Sequence, residues 1–205
     1  MIQTNYLHLS MKITSINQLD KNGTYTYADY LTWRFDQMVE LIKGKLYMMS
    51  PAPATRHQSI SSGLSGQILH FFLKHSCKAF HAPFDVRLIK EKKDDKEILT
   101  VVQPDICVIC DVAKIDERGC LGSPDWIVEI LSPSTAKKDY NEKFNLYQEN
   151  EVREYWVVNP DANVVDQYVL GENGIYYQKE IYNCTQTIQP HIFPELNIDL
   201  NLVFQ

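Results

Sequence analysis

Trp126-Ile127-Val128-Glu129-Ile130-Leu131 is an apolar run interrupted by one carboxylate. Its β-branched enrichment and lack of a polar face predict a strand covered on both sides, which belongs in the middle of a sheet flanked by helices. Val101 to Cys110 reads the same way. Alternation puts Ile127, Glu129 and Leu131 on one strand face, so Glu129 sits between apolar neighbours; it also puts Gln103, Asp105 and Cys107 on one face of the other run. An ionised carboxylate on a covered face loses several kcal/mol of hydration unless a partner or metal compensates.

If these two strands are neighbours, carboxylates about 4 Å apart repel by roughly 4 kcal/mol at an effective dielectric near 20, so one is protonated or a cation lies between them. Oxygen ligands with open positions suit Mg²⁺ or Mn²⁺. The structural alternatives are that Asp105 caps a turn after Pro104 and that Glu129 pairs with Arg87 or Arg153. On the helix expected after the Ser132-Pro133-Ser134-Thr135 turn, Tyr140, Phe144 and Tyr147 make the apolar stripe, and Lys143 points with them toward the sheet. Lys143 then either snorkels to water or reaches the carboxylates. Ser132 and Ser134 read as turn and N-cap residues, not as a nucleophile, because no G-x-S-x-G elbow surrounds them.

Outward from this centre, residues 1–24 are polar and weakly periodic and read as a lead-in, with residues 25–205 forming a single domain. Tyr27 to Gln37 has helical spacing; Met38 to Ile42 and Leu46 to Met49 read as a hairpin around Gly44 that ends at Ser50-Pro51-Ala52-Pro53. Thr55 to about Lys74 is an amphipathic helix, and Phe84 to Ile89 a strand before the charged loop Lys90 to Glu97. Asp139 to Glu149 reads as a helix, and Glu154 to Val158, Val164 to Leu170 and Ile175 to Ile181 as further strands. This order of elements implies an α/β domain.

The chain has 205 residues, 44% of them hydrophobic, enough for one continuous core. A net charge of −6 provides no global attraction for a polyanion, so any nucleic-acid contact is local or metal-mediated. No apolar run nears the roughly 20 residues that span a bilayer, so no membrane partner and a cytoplasmic location are expected. The five cysteines are odd in number and irregularly spaced, which reads as free thiols, with Cys107 and Cys110 as small buried hydrophobes instead of a zinc or redox pair.

Gln103-Pro104-Asp105, Val128-Glu129-Ile130-Leu131-Ser132-Pro133-Ser134-Thr135, Asp139, Lys143 and Glu154-Tyr155-Trp156, in this order, resemble the Uma-type restriction endonucleases of the PD-(D/E)-x-K nuclease superfamily. The segment from Glu40 to Pro53, with His57 beyond it, is similar to the family's opening, and the likeness runs from about Tyr27 to near the carboxyl terminus. It implies a restriction-endonuclease-like core, a mixed central sheet flanked by helices, and hydrolysis of DNA with Mg²⁺ or Mn²⁺. Asp105 and Glu129 would be the motif acids, and Glu40 an accessory acid and metal ligand. The usual lysine two residues after the acid is Leu131 here, so the resemblance assigns the cation to Lys143. Lys43 and Lys45 stand where relatives commonly carry acids. Gln103 and His57 are candidates for contacting water or phosphate, against structural roles for both. DNA is the expected partner, with a homodimer as one arrangement. The alternatives are a non-catalytic binding or dimerisation module on the same fold, and a phosphoesterase acting on RNA or nucleotides.

Overall fold

The structure is a computed structural model that describes residues 12–49, 54–91, 94–132 and 136–205, with the backbone alone described for 136–140. The Ser50–Pro53 breaker, residues 133–135 of the turn and the Asp139 and Tyr140 side chains lie outside the described residues.

A capping box between Thr26 and Asp29 starts α1 (Tyr27–Tyr30). The spacing predicts helix as far as Gln37, but α1 ends after one turn. Tyr25, Tyr30 and Phe35 all pack their rings against Trp33, so the recurring aromatics mark a cluster at a tight turn and not a continued helical face. β1 (Val39–Ile42) and β2 (Lys45–Met48) form the expected hairpin, and the positive φ of both Lys43 and Gly44 suits a two-residue turn.

Then follow α2 (Thr55–Phe72), β3 (Lys78–His81), β4 (Val86–Arg87), β5 (Val101–Val102), β6 (Ile106–Ile109), β7 (Ile115–Asp116), β8 (Gly119–Leu121), β9 (Trp126–Ile130) and α3 (Ala136–Glu149). β10 (Glu154–Asn159), β11 (Val164–Leu170), β12 (Tyr176–Asn183), β13 (Thr187–Ile188), β14 (Ile198–Asp199) and α4 (Leu200–Val203) complete the chain. One sheet has the order β2-β1-β5-β4-β8-β7 and a second β12-β11-β10-β9-β6-β3. In the second, β9 and β10 run parallel across α3, while β6 and β11 flank them antiparallel, which makes it mixed.

Trp126, Val128 and Ile130 pack in one core with Ile60, Leu64 and Ile68 of α2; Ile127 packs in the opposite core with Leu146 and Tyr147 of α3. β9 is therefore covered on both faces, and all five of its residues are buried. Glu129, which alternates with Val128 and Ile130, lies on the α3 side.

Val101 to Cys110 is not one strand. β5 belongs to the first sheet and β6 to the second, with the chain crossing between them at Gln103-Pro104-Asp105. Proline has no N–H for a ladder and restricts the residue before it, so the apolar run splits there. Asp105 thus precedes β6, whose Ile106 pairs with Val128 of β9.

Cys77 and Cys110 form a disulfide, which corrects the reading of both as free thiols. The antiparallel register Lys78↔Ile109 brings residues 77 and 110 opposite each other, a proximity that spacing along the chain does not reveal. Cys107, Cys120 and Cys184 are free. In the lead-in, Leu19 is buried with Tyr27 and Trp33, and Ile13 and Ile16 pack against them. No helix among the described residues is long and apolar enough to cross a membrane.

Candidate active site

Four elements converge on one polar cluster beside the apolar core. β1 contributes Glu40, β9 contributes Glu129, α3 contributes Lys143 and Tyr147, and the crossing before β6 contributes Asp105. Lys143 Nζ donates to Glu40 Oε1 and Glu129 Oε1, each at 3.0 Å, and its side chain is 9% exposed. The lysine does not snorkel. Arg87 instead pairs with Asp116 at 2.6 Å and Arg153 with Asp125 at 3.1 Å, so neither is the partner of Glu129.

Glu129 Oε1 accepts a second bond, from the Tyr147 hydroxyl at 2.5 Å. Glu40 Oε1 likewise accepts the Gln103 N–H at 2.9 Å. Asp105 Oδ2 takes the Ile130 N–H at 2.8 Å, so its backbone contact is with β9 and not a turn after Pro104. His57 Nε2, from the first turn of α2, lies 3.1 Å from the Ile130 carbonyl oxygen and 3.5 Å from Asp105 Oδ1.

Gln103 and Asp105 do not share a face as alternation predicts, because the strand breaks between them. The Gln103 amide donates to Asp85 Oδ1, just before β4, at 2.7 Å and to the Tyr30 hydroxyl of α1 at 3.3 Å. Its backbone, not its side chain, touches the acid cluster.

Burial pushes the Glu129 carboxyl up to about 7, against the Lys143 ammonium; Asp105 and Glu40 add to the rise, and the Tyr147 bond opposes it. Burial also works against the Lys143 charge, but the Glu129 and Glu40 carboxylates outweigh it and hold this pKa above the ordinary lysine value. The hydrogen bond to Asp105 raises the His57 pKa despite partial burial.

A raised carboxyl pKa means that the folded protein keeps a proton the unfolded chain releases. The Glu129 contribution to stability is therefore present at low pH and declines as pH rises from about 4.5 to about 7. His57 acts in the same direction: its raised pKa contributes stability below about 6.5 that is lost as pH climbs. Glu129→Gln should flatten the curve of melting temperature against pH between about 5 and 8; an unchanged slope would assign the dependence to other groups.

Three comparisons bear on the family and the fold of the chain. Residues 27–201 match the Uma2 family model, described as "Putative restriction endonuclease". The chain belongs to that family. A relative in sequence is the uncharacterized protein slr1290 of Synechocystis sp., 26% identical over 149 residues that make up 71% of this chain and 74% of that one. In structure, the chain is similar to a "putative nuclease belonging to DUF820" from Anabaena variabilis, with a TM-score of 0.68 and 21% identity over 88% of this chain and 97% of that one. The Uma2 chain accordingly has a restriction-endonuclease-like α/β fold, with mixed sheet and flanking helices.

Tyr147 and Asp85 escaped the sequence reading. Tyr147 was legible in part, because a tyrosine at a buried stripe position needs a partner for its hydroxyl and stands four residues after Lys143, on the same helix face. Nothing local marks Asp85, whose contact with Gln103 depends on the sheet.

Proposed function

We propose that the protein is a divalent-metal-dependent endonuclease that hydrolyses phosphodiester bonds of DNA. The observation that carries this reading is the buried Lys143 ammonium between Glu40 and Glu129, with Asp105 at the adjoining end of β6. A surface ion pair needs no such burial, and the desolvation of three charged groups is a poor route to stability.

The donor set fits a hard cation. Among the described residues, no group of three or more His, Cys, Asp or Glu side chains forms a ready metal cage. Mg²⁺ rarely uses one, being held usually by one or two carboxylates with water and substrate phosphate completing the shell. Asp105 and Glu129 are the two we assign, since Glu129 Oε2 takes no hydrogen bond among the described residues and the Asp105 side chain is 18% exposed. A bound Mg²⁺ or Mn²⁺ supplies Lewis-acid polarisation of a non-bridging phosphate oxygen and lowers the pKa of the attacking water.

Lys143 orients that water or neutralises the charge that develops on the phosphate. Glu40 holds the ammonium in place through its doubly bonded Oε1, and its Oε2, like that of Glu129, takes no hydrogen bond among the described residues, which suits an accessory metal ligand. His57 supports the Asp105 carboxylate and, when protonated, offers a charge to phosphate. The family's description supports DNA as substrate; the net charge of −6 does not itself attract a polyanion.

Calorimetric titration with Mn²⁺, paired with cleavage assays on plasmid DNA, RNA and nucleotides, tests the reading. Binding below millimolar metal and nicking of the plasmid are expected. Absence of both would favour a non-catalytic module on this fold, and turnover of RNA or nucleotides alone would move the substrate assignment.

A further inference from the structure

We infer that Tyr147 is a positioning residue for Glu129: together with Lys143 it fixes Oε1 of that carboxylate and so leaves Oε2 as the oxygen that would hold a cation.

The geometry is specific to one oxygen. Lys143 Nζ at 3.0 Å and the Tyr147 hydroxyl at 2.5 Å both donate to Oε1, leaving Oε2 without a hydrogen bond among the described residues. Both donors stand on α3, one turn apart, so a single rigid helix carries both prongs. Their approach restrains rotation of the carboxylate more than either donor could alone.

The tyrosine is itself immobilised. It is fully buried, and its ring packs edge-on against Tyr155 of β10 with centroids 5.1 Å apart. Ile127 and Leu146 share the same core. Burial, with the Glu129 and Glu40 carboxylates adding to it, raises the pKa of its phenol, so the hydroxyl stays a donor across the working pH range. Packing alone would accept phenylalanine here. Groups that orient a metal-holding carboxylate in this manner commonly change metal affinity ten- to a hundredfold when removed.

The inference rests on the nuclease reading for its purpose but not for its geometry, and the test separates the two. Tyr147→Phe keeps the ring and removes the donor. Tyr176→Phe is the control, because that buried hydroxyl donates to the Val152 carbonyl at 2.7 Å and its loss should weaken the fold without touching Glu129. In metal-free protein labelled with ¹³C at glutamate carboxyls, Tyr147→Phe should move the Glu129 titration midpoint upward by about one pH unit, and Tyr176→Phe should not. A midpoint unmoved by Tyr147→Phe, or moved equally by both variants, overturns the positioning role.

Mn²⁺ titration then tests its purpose. A ten- to hundredfold weaker affinity in Tyr147→Phe, with Tyr176→Phe at the wild-type value, supports it. Equal affinity in Tyr147→Phe and wild type overturns it. No Mn²⁺ binding by wild-type protein overturns the nuclease reading and the purpose with it, while the carboxyl titration still decides the clamp.

Discussion

Asp105→Asn is expected to lower Mg²⁺-dependent DNA cleavage by about a thousandfold or more while the protein stays folded. The amide has the shape of the carboxylate, and its oxygen can still accept the Ile130 N–H now bonded at 2.8 Å, so the junction of β6 and β9 keeps this tie beside its strand pairing. Only the charge is lost, which makes this substitution cleaner than alanine. That charge has two uses in the proposed chemistry. It would hold the cation, and it raises the pKa of His57, whose imidazole lies 3.5 Å from Oδ1. The imidazole should therefore titrate at a lower pH in the variant, an internal check that the intended contact was altered. Single-turnover nicking of plasmid DNA, read beside a thermal melt, measures the effect. Nicking within tenfold of wild type in a folded Asp105→Asn protein would remove Asp105 from the reaction.

The fold was legible wherever the apolar pattern reported burial on both faces. Trp126 to Leu131 declared itself a central strand, and α2 declared its inward face through Ile60, Leu64 and Ile68, because these patterns are set by neighbours within one element. Patterns that required knowledge of which elements meet were misread. Val101 to Cys110 has the composition of one strand, yet Pro104 splits it between two sheets, and the two-residue alternation from Gln103 to Asp105 loses its meaning there. The same limit hid the Cys77–Cys110 bond and Asp85.

The site was legible through its misfits. A carboxylate within Trp126 to Leu131 and a lysine on the inward face of α3 each contradict burial, and two contradictions of opposite sign suggest that they answer each other, as Lys143 and Glu129 do at 3.0 Å. Glu40 needed the family resemblance, since a single acid in a four-residue strand carries little signal. Its contact with Lys143 bridges 103 positions of sequence.

Lys143→Met should destabilise the protein by about 3–5 kcal/mol near pH 8 and abolish cleavage. Methionine fills the aliphatic channel of the lysine stem, so the loss is electrostatic and not a cavity. Both Oε1 atoms lie 3.0 Å from Nζ, which puts them at most about 6 Å apart; without the ammonium they repel by about 3 kcal/mol at an effective dielectric near 20. The protein's escape is protonation. Glu129 is already pushed up to about 7 by burial, and losing the lysine removes the strongest force opposing that rise. Its folded pKa must climb further, so the folded variant takes up a proton over a wider pH range than the unfolded chain, and stability returns as pH falls through that range. Urea midpoints at about pH 8 and about pH 5 should accordingly show a large deficit in Lys143→Met at the higher pH and a much smaller one at the lower. Adding Glu40→Gln should recover much of the deficit at pH 8 without restoring cleavage, since it removes the repulsion but not the missing cation. A deficit below about 1 kcal/mol, or one equal at both pH values, would mean that the ammonium compensates neither acid and that the cluster is not the origin of its burial.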